Sequence, residues 1–381
     1  MKGLLLKFLK KIFKNGVFSP FRFALSEIYN RLKNPEVIPV IQKKLRELNL
    51  SQAERIIIFL VPSKDIVNGG IMSIFSLHQA TIKNHDVHQS LTILATFPNI
   101  QYMPLFTKFN NTEIVVPFRS ALRSMSQVKQ LTIHVPEFYV AKFLSDLSSG
   151  EKRKIRQIHS STVNILNQNM EIMPLAKKID PYRSLFKEIT CTTAHKQYCT
   201  LANRKLYNIP FHHFSAQNLF SVYKKLNYAG KKNLLIYSPD STPLKSAVLK
   251  KIQATFPDLE MLEIRNITYS EYLDHCSSAK WSLSFGEGLD SYFIAPIRCG
   301  GCSFAAYNET FFTSDFQSLE TVFDSYDDML GKICETIAEL DHPQAYEAMN
   351  QVLLNTINNH YSLDEYYENV KQYYLKNYTF K

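Results

Sequence analysis

Glu287 stands between two glycines in the run Ser284 to Gly301, SFGEGLDSYFIAPIRCGG, straight after the apolar WSLSF and ahead of a helical stretch. A carboxylate there can accept hydrogen bonds from ligand hydroxyls, because ligands bind beyond the carboxyl ends of strands in an open α/β sheet. Flanking Gly286 and Gly288 suit a backbone built for close approach. Other polar residues follow strands in the same way. IHVPEFY offers His134 and Glu137, where a carboxylate can meet an acceptor hydroxyl; NILNQNMEIMP offers Asn167, Gln168 and Asn169; TTAHKQY offers His195. For each of these, capping a loop is the commoner role, so they stand as cleft candidates.

Cys299 and Cys302 have the C-x-x-C spacing of a redox or zinc site. A structural zinc needs four ligands, and neither a second pair nor a histidine cluster accompanies them, so inert thiols and no metal are expected.

Strand signals alternate with helical ones, which argues an α/β fold with parallel sheets. RIIIFLV (55–61) leads through PSKDIVNGG into the helical IMSIFSLHQATIKN, so Gly69 and Gly70 sit where a strand hands over to a helix. Further strands are expected at LTILATF, TEIVVPF, QLTIHV, VNILNQNM and EITCTTA. The glycine and paired lysines of KLNYAGKKN (225–233) break the pattern, which restarts at LLIYS, continues through LEMLEI and ends at WSLSF. The reading is two Rossmann-like domains facing a central cleft, into which Glu287 projects. The expected divisions are 1–35, an amphipathic segment; 36–228, a first Rossmann-like domain; 229–341, a second one carrying Glu287; and 342–381, tyrosine-rich helices returning to the first domain.

A chain of 381 residues is long for one core, and 45% hydrophobic with 20% charged residues is a globular composition. The net charge of +10 calls for an anionic partner. Six cysteines without a secretory signal fit reduced thiols in a cytoplasm. MKGLLLKFLKKIFKNGVF places Leu4, Leu5, Leu6, Phe8, Leu9, Ile12 and Phe13 on one arc and Lys7, Lys10, Lys11 and Lys14 on the other. That is the pattern of a helix lying in an anionic membrane surface through residues 1–18, with FRFALSEIYNRLKN extending it.

GEGLDSYFIAPIRCGG resembles the donor-site signature of family 4 and related retaining glycosyltransferases of the GT-B fold. In that pattern two glutamates stand where this chain has Glu287 and Ala295, and the helix ends in cysteine-glycine, as at Cys299-Gly300. Ala295 departs from it. The family's glutamate there holds the nucleotide ribose, so the resemblance implies weakened donor binding, a replaced contact, or an impaired form. It further implies that Gly69 and Gly70 face donor phosphate and that Lys245, in LLIYSPDSTPLKS, meets the diphosphate. Ser238, Gly288, Leu289, Asp290, Tyr292 and Gly300 complete the implied donor contacts. Glu287 would orient sugar hydroxyls, with Glu137 and His195 as further catalytic candidates and His134, Asn167 and Asn169 on the acceptor side.

The resulting expectation is a retaining glycosyltransferase, without metal or other cofactor. It would carry a sugar from a nucleotide sugar to a lipid-linked glycan of lipopolysaccharide, O-antigen or capsule synthesis, peripheral on the cytoplasmic face of the cell membrane. The rival is a basic nucleic-acid- or membrane-binding protein without catalysis, but no nucleic-acid motif is present and no nucleic-acid partner is expected. A nicotinamide enzyme is disfavoured because NGGIMS lacks the third glycine of G-x-G-x-x-G.

Overall fold

The structure is a computed structural model and describes residues 28–29, 32–97, 103–109 and 111–381. The amphipathic stretch expected over residues 1–18 lies outside the described residues. Two compact units divide the chain: one takes it up to Leu219 together with Asp364–Lys381, and the other is Phe220–Leu363.

The first unit is built on seven strands, β1 (Arg55–Val61), β2 (Leu91–Thr96), β3 (Val115–Pro117), β4 (Gln130–Pro136), β5 (Ser160–Asn167), β6 (Glu188–Thr193) and β7 (Phe211–His213). Their order is β3-β2-β1-β4-β5-β6-β7, and every pairing is parallel. β1 is buried at six successive positions, as a strand covered on both faces must be, and its isoleucines read as a continuous apolar run. The direction of winding reverses between β1 and β4, which makes the exits of those two strands the topological switch point. Helix α1 (Val37–Glu47) precedes β1, α2 (Gly69–Lys83) leaves it, and α3 (Glu137–Asp146) leaves β4.

The second unit holds five strands, β8 (Lys232–Tyr237), β9 (Glu260–Glu263), β10 (Ala279–Ser284), β11 (Cys302–Ala306) and β12 (Val322–Phe323), in the order β12-β11-β10-β8-β9 and again all parallel. Here the reversal falls between β8 and β10. Helices α4 (Lys245–Thr255), α5 (Tyr269–Ser278), α6 (Ser291–Arg298), α7 (Tyr326–Leu340) and α8 (Pro343–His360) complete it.

Two expected boundaries move. The second unit begins at Phe220, before position 229, because Ser221 and Tyr269 share a 2.6 Å hydroxyl hydrogen bond and the Leu226 amide donates to the Cys299 carbonyl. Of the tyrosine-rich end, α8 stays with the second unit: Asn350 Nδ2 donates to the carbonyls of Ile297 and Gly301, and the Tyr346 hydroxyl to that of Lys280. Only the last helix, α9 (Leu363–Tyr374), with the residues after it, belongs to the first unit. It buries Tyr366, Val370 and Tyr373, and Phe380 then exchanges both backbone hydrogen bonds with Phe211 of β7.

Candidate functional site

Each unit carries a set of polar groups at its own switch point. In the second unit the β8 exit contributes Asp240 and the β10 exit contributes Glu287. Glu287 is exposed in the turn that joins β10 to α6. That turn is fixed from both sides: the Gly286 amide donates to the Tyr326 hydroxyl at 2.9 Å, and Gly288 is buried at φ +78. A Cβ on Gly288 would lie 2.6 Å from the Phe312 ring, so no other residue fits.

Asp290 closes the turn by capping α6. One carboxylate oxygen accepts from the amides of Tyr292 (2.8 Å) and Phe293 (3.2 Å) and from the Ser284 hydroxyl (3.0 Å). Burial pushes this carboxyl up to about 7, with the charges of Asp240 and Glu287 adding to the effect. Three acids therefore gather at this edge, and the α6 N-terminus is already occupied by its own aspartate.

Several implied donor contacts turn out to be structural. Ser238 has no exposed surface; its hydroxyl accepts from the Phe285 amide and ties β8 to the β10 exit. Leu289 is a core residue. Gly300 ends α6 at φ +87, and a Cβ there would meet the Leu226 carbonyl oxygen at 2.2 Å, so the glycine is dictated by packing. Ala295 is 1% exposed, which leaves a longer side chain at that position to displace its neighbours. Lys245 opens α4, but its ammonium already donates to the carbonyls of Ser238 (2.8 Å) and Asp240 (2.9 Å) and to Glu263 (3.1 Å). It holds the β8–α4 loop in shape. Tyr292 is half-buried, edge-on to Tyr272.

Cys299 and Cys302 are buried thiols whose pKa burial raises, as inert core cysteines should be. Among the described residues no group of three or more histidine, cysteine or acidic side chains is placed to hold a metal ion.

In the first unit, Glu137 is the first residue of α3, directly after β4 at the switch point. It is 5% exposed. Burial holds its carboxyl up to about 7, against the opposing pull of the backbone amides of Glu137, Gln168 and Asn169. Across the switch point, Asn68 caps α2, accepting from the Ile71 amide at 2.8 Å. Gln168 reaches over to donate to the Gly70 carbonyl, and a Cβ on Gly70 would meet the Gln168 side-chain oxygen at 2.7 Å. Gly69 faces open space.

Asn167, beside Glu137, donates to the Asn169 carbonyl, while the Asn169 side chain caps the following short turn at the Glu171 amide. His195 is half-buried against Tyr198, and burial lowers its pKa to about 4, so it is neutral at neutral pH. The structure thus brings Gly70, Glu137, Asn167, Asn169 and His195 to one sheet edge.

His134 does not join them. It stacks on Phe59 inside the unit, with one ring nitrogen 2.9 Å from Asn164 Nδ2 and the other 3.0 Å from the Tyr374 hydroxyl. Because Nδ1 must accept from the amide, Nε2 carries the proton toward Tyr374. Its role is to dock α9. Sequence reasoning passed over Asp240, Tyr326, Thr193 and Ser215. Only SPDSTP at the β8 exit, a strand-to-helix turn of the same kind as the Glu287 turn, carried a signal.

No family model matches the chain, and no curated protein matches it in sequence. Solved structures match it in fold. An α-glucosyltransferase in complex with UDP aligns over 84% of this chain and 99% of its own, with a TM-score of 0.55 at 12% identity. Anabaena HepE in complex with UDP and glucose aligns over 85% and 99%, with a TM-score of 0.51 at 9% identity. The fold is GT-B. Two parallel sheets in an α/β fold are what the alternation of strand and helix signals predicts, and GT-B is the fold that the resemblance of GEGLDSYFIAPIRCGG implies.

Proposed function

We propose that this chain is a glycosyltransferase that takes a sugar from a nucleotide sugar held at the switch point of the second unit. The observation that carries the reading is the placement of Glu287: exposed, beyond the carboxyl end of β10, in a glycine turn locked by Tyr326 and Phe312, on a GT-B fold. Uridine diphosphate is the nucleotide of choice, since the fold neighbours are complexes with UDP. Glu287 orients the hydroxyls of the donor sugar. The diphosphate, whose charge grows as the bond breaks, is met by main-chain amides and by Lys245 if it exchanges Glu263 for phosphate.

Transfer proceeds with retention and without a metal, to a lipid-linked glycan of lipopolysaccharide, O-antigen or capsule synthesis. Residues 1–18 hold the enzyme on the inner face of the membrane, where such acceptors lie. A thermal-shift screen of nucleotide sugars identifies the donor, and Glu287→Gln is expected to abolish transfer while moving the melting temperature by less than about 2 °C, as exposed substitutions do. Full activity in that variant removes Glu287 from the site, and no response to any nucleotide sugar removes the reading.

A further inference from the structure

The register of the first sheet lines up one polar row along its carboxyl edge. Pro136 pairs with Leu166, Asn167 with Thr193, and Thr193 with His213, so Asn167 and Thr193 stand side by side on adjacent strands, with Glu137 one residue past the end of β4 and Ser215 two residues beyond His213. Neighbouring strands lie about 4.8 Å apart and residues in register share a face. Along this row Glu137 Oε2, Asn167 Oδ1, Thr193 Oγ1 and Ser215 Oγ are all buried without a hydrogen-bond partner in the protein; for Thr193 the Cys199 thiol, a weak partner, is nearby. Asn167 is 1% exposed and Ser215 3%. Each such group costs about 1–3 kcal/mol, and a native fold keeps few of them. Ser215 is also held at φ 71, in the left-handed region.

A small cavity is lined by three of these residues, Asn167, Thr193 and Ser215, together with Phe214 and with Ser73 and Leu77 of α2. It has room for about one water molecule. Asn167 Oδ1 can only accept, whereas the two hydroxyls can donate or accept. A whole ring or a phosphate is too large for that space. The group that fits is one hydroxyl, donating to Asn167 and accepting from Ser215.

We propose that this cavity seats one hydroxyl of a sugar acceptor, so that Asn167, Thr193 and Ser215 fix which hydroxylated ring the first unit admits. This rests on the glycosyltransferase reading. It rests on side-chain oxygens that the fold buries without a strong partner, and no sequence signal marked two of the residues, Thr193 and Ser215.

The test titrates the full chain calorimetrically with UDP and, with and without UDP, with the methyl glycosides of glucose, galactose, mannose and N-acetylglucosamine. At least one glycoside is expected to bind, and Asn167→Leu, Thr193→Val and Ser215→Ala each to weaken it tenfold or more with UDP affinity unchanged. Thr193→Val, which keeps the shape, guards against a folding failure in the others. Absence of glycoside binding to the parent chain, or equal binding by Thr193→Val and Ser215→Ala, overturns the proposal and leaves the cavity to a buried water. Absence of UDP binding instead strikes the donor reading, while the glycoside titration without UDP still decides this one.

Discussion

Glu137 is a carboxylic acid whose surroundings prefer it neutral. Its pKa rises from the ordinary 4.5 of an unfolded chain to about 7 in the fold. Below pH 4.5 both states carry the proton and the group is neutral to stability. Between pH 4.5 and 7 the unfolded chain releases its proton first, so folding loses stability as pH rises, and above 7 the loss is constant. Glu137→Gln, which cannot ionise, is therefore expected to match the parent near pH 4 and to exceed it at pH 8 by on the order of 3 kcal/mol, at 1.36 per pKa unit. Urea unfolding at the two pH values checks this. A gap that stays the same at the two pH values shows that Glu137 ionises as freely in the fold as in the unfolded chain, and a gap that shrinks shows that the fold favours its charged form. A fold does not hold such a carboxyl at a strand exit for its own stability, which is why the residue stands as a candidate for the site.

At the scale of elements, what the sequence announced and what it hid follow from length and from packing. β1, β4, β5, β6, β8 and β10 are runs of six to eight residues with apolar cores, and the letters alone suffice to find them. β7, β11 and β12 were missed. β7 is the three residues FHH and β12 the two residues VF, too short for a period to emerge, and β11 begins at Cys302, inside a spacing that read as chemistry. The C-x-x-C there is a helix end, two glycines and the start of a strand. The positions of Glu287 and Glu137 at strand exits were legible because the apolar runs before them, WSLSF and QLTIHV, read as strands. Lys245 and Gly300 misled because a lysine or a glycine at the same exits serves equally to close a loop or end a helix, and only contacts separate the cases. For Gly300 the contact is the Leu226 carbonyl. Gly300→Ala adds a Cβ that must move this carbonyl and forces alanine into the left-handed region, so a loss of about 2–3 kcal/mol is expected. Calorimetry should find the loss in the unfolding of the second unit, and an unchanged melting temperature would mean that the α6 end relaxes freely.

For the whole molecule the question is where its charge resides. Residues 1–18 hold five lysines and no acid, half of the net +10, so the remaining 363 residues carry only +5. A nucleic-acid-binding protein spreads its net charge along the groove that tracks the strand; here half of it falls in one segment rich in leucine, isoleucine and phenylalanine. Each lysine near an anionic surface contributes about 1 kcal/mol, and insertion of the apolar residues adds a part that salt does not screen. The full chain is therefore expected to sediment with phosphatidylserine-containing vesicles and to remain partly bound at 1 M salt, where the Debye length falls to about 3 Å. Removal of residues 1–18 should release it to the supernatant with its melting temperature unchanged. Replacement of the five lysines by glutamine should abolish binding at low vesicle concentration while leaving the apolar contribution measurable at high concentration. Equal sedimentation of the truncated chain would move the membrane contact to the body of the protein, and release of the full chain by salt alone would reduce it to charge.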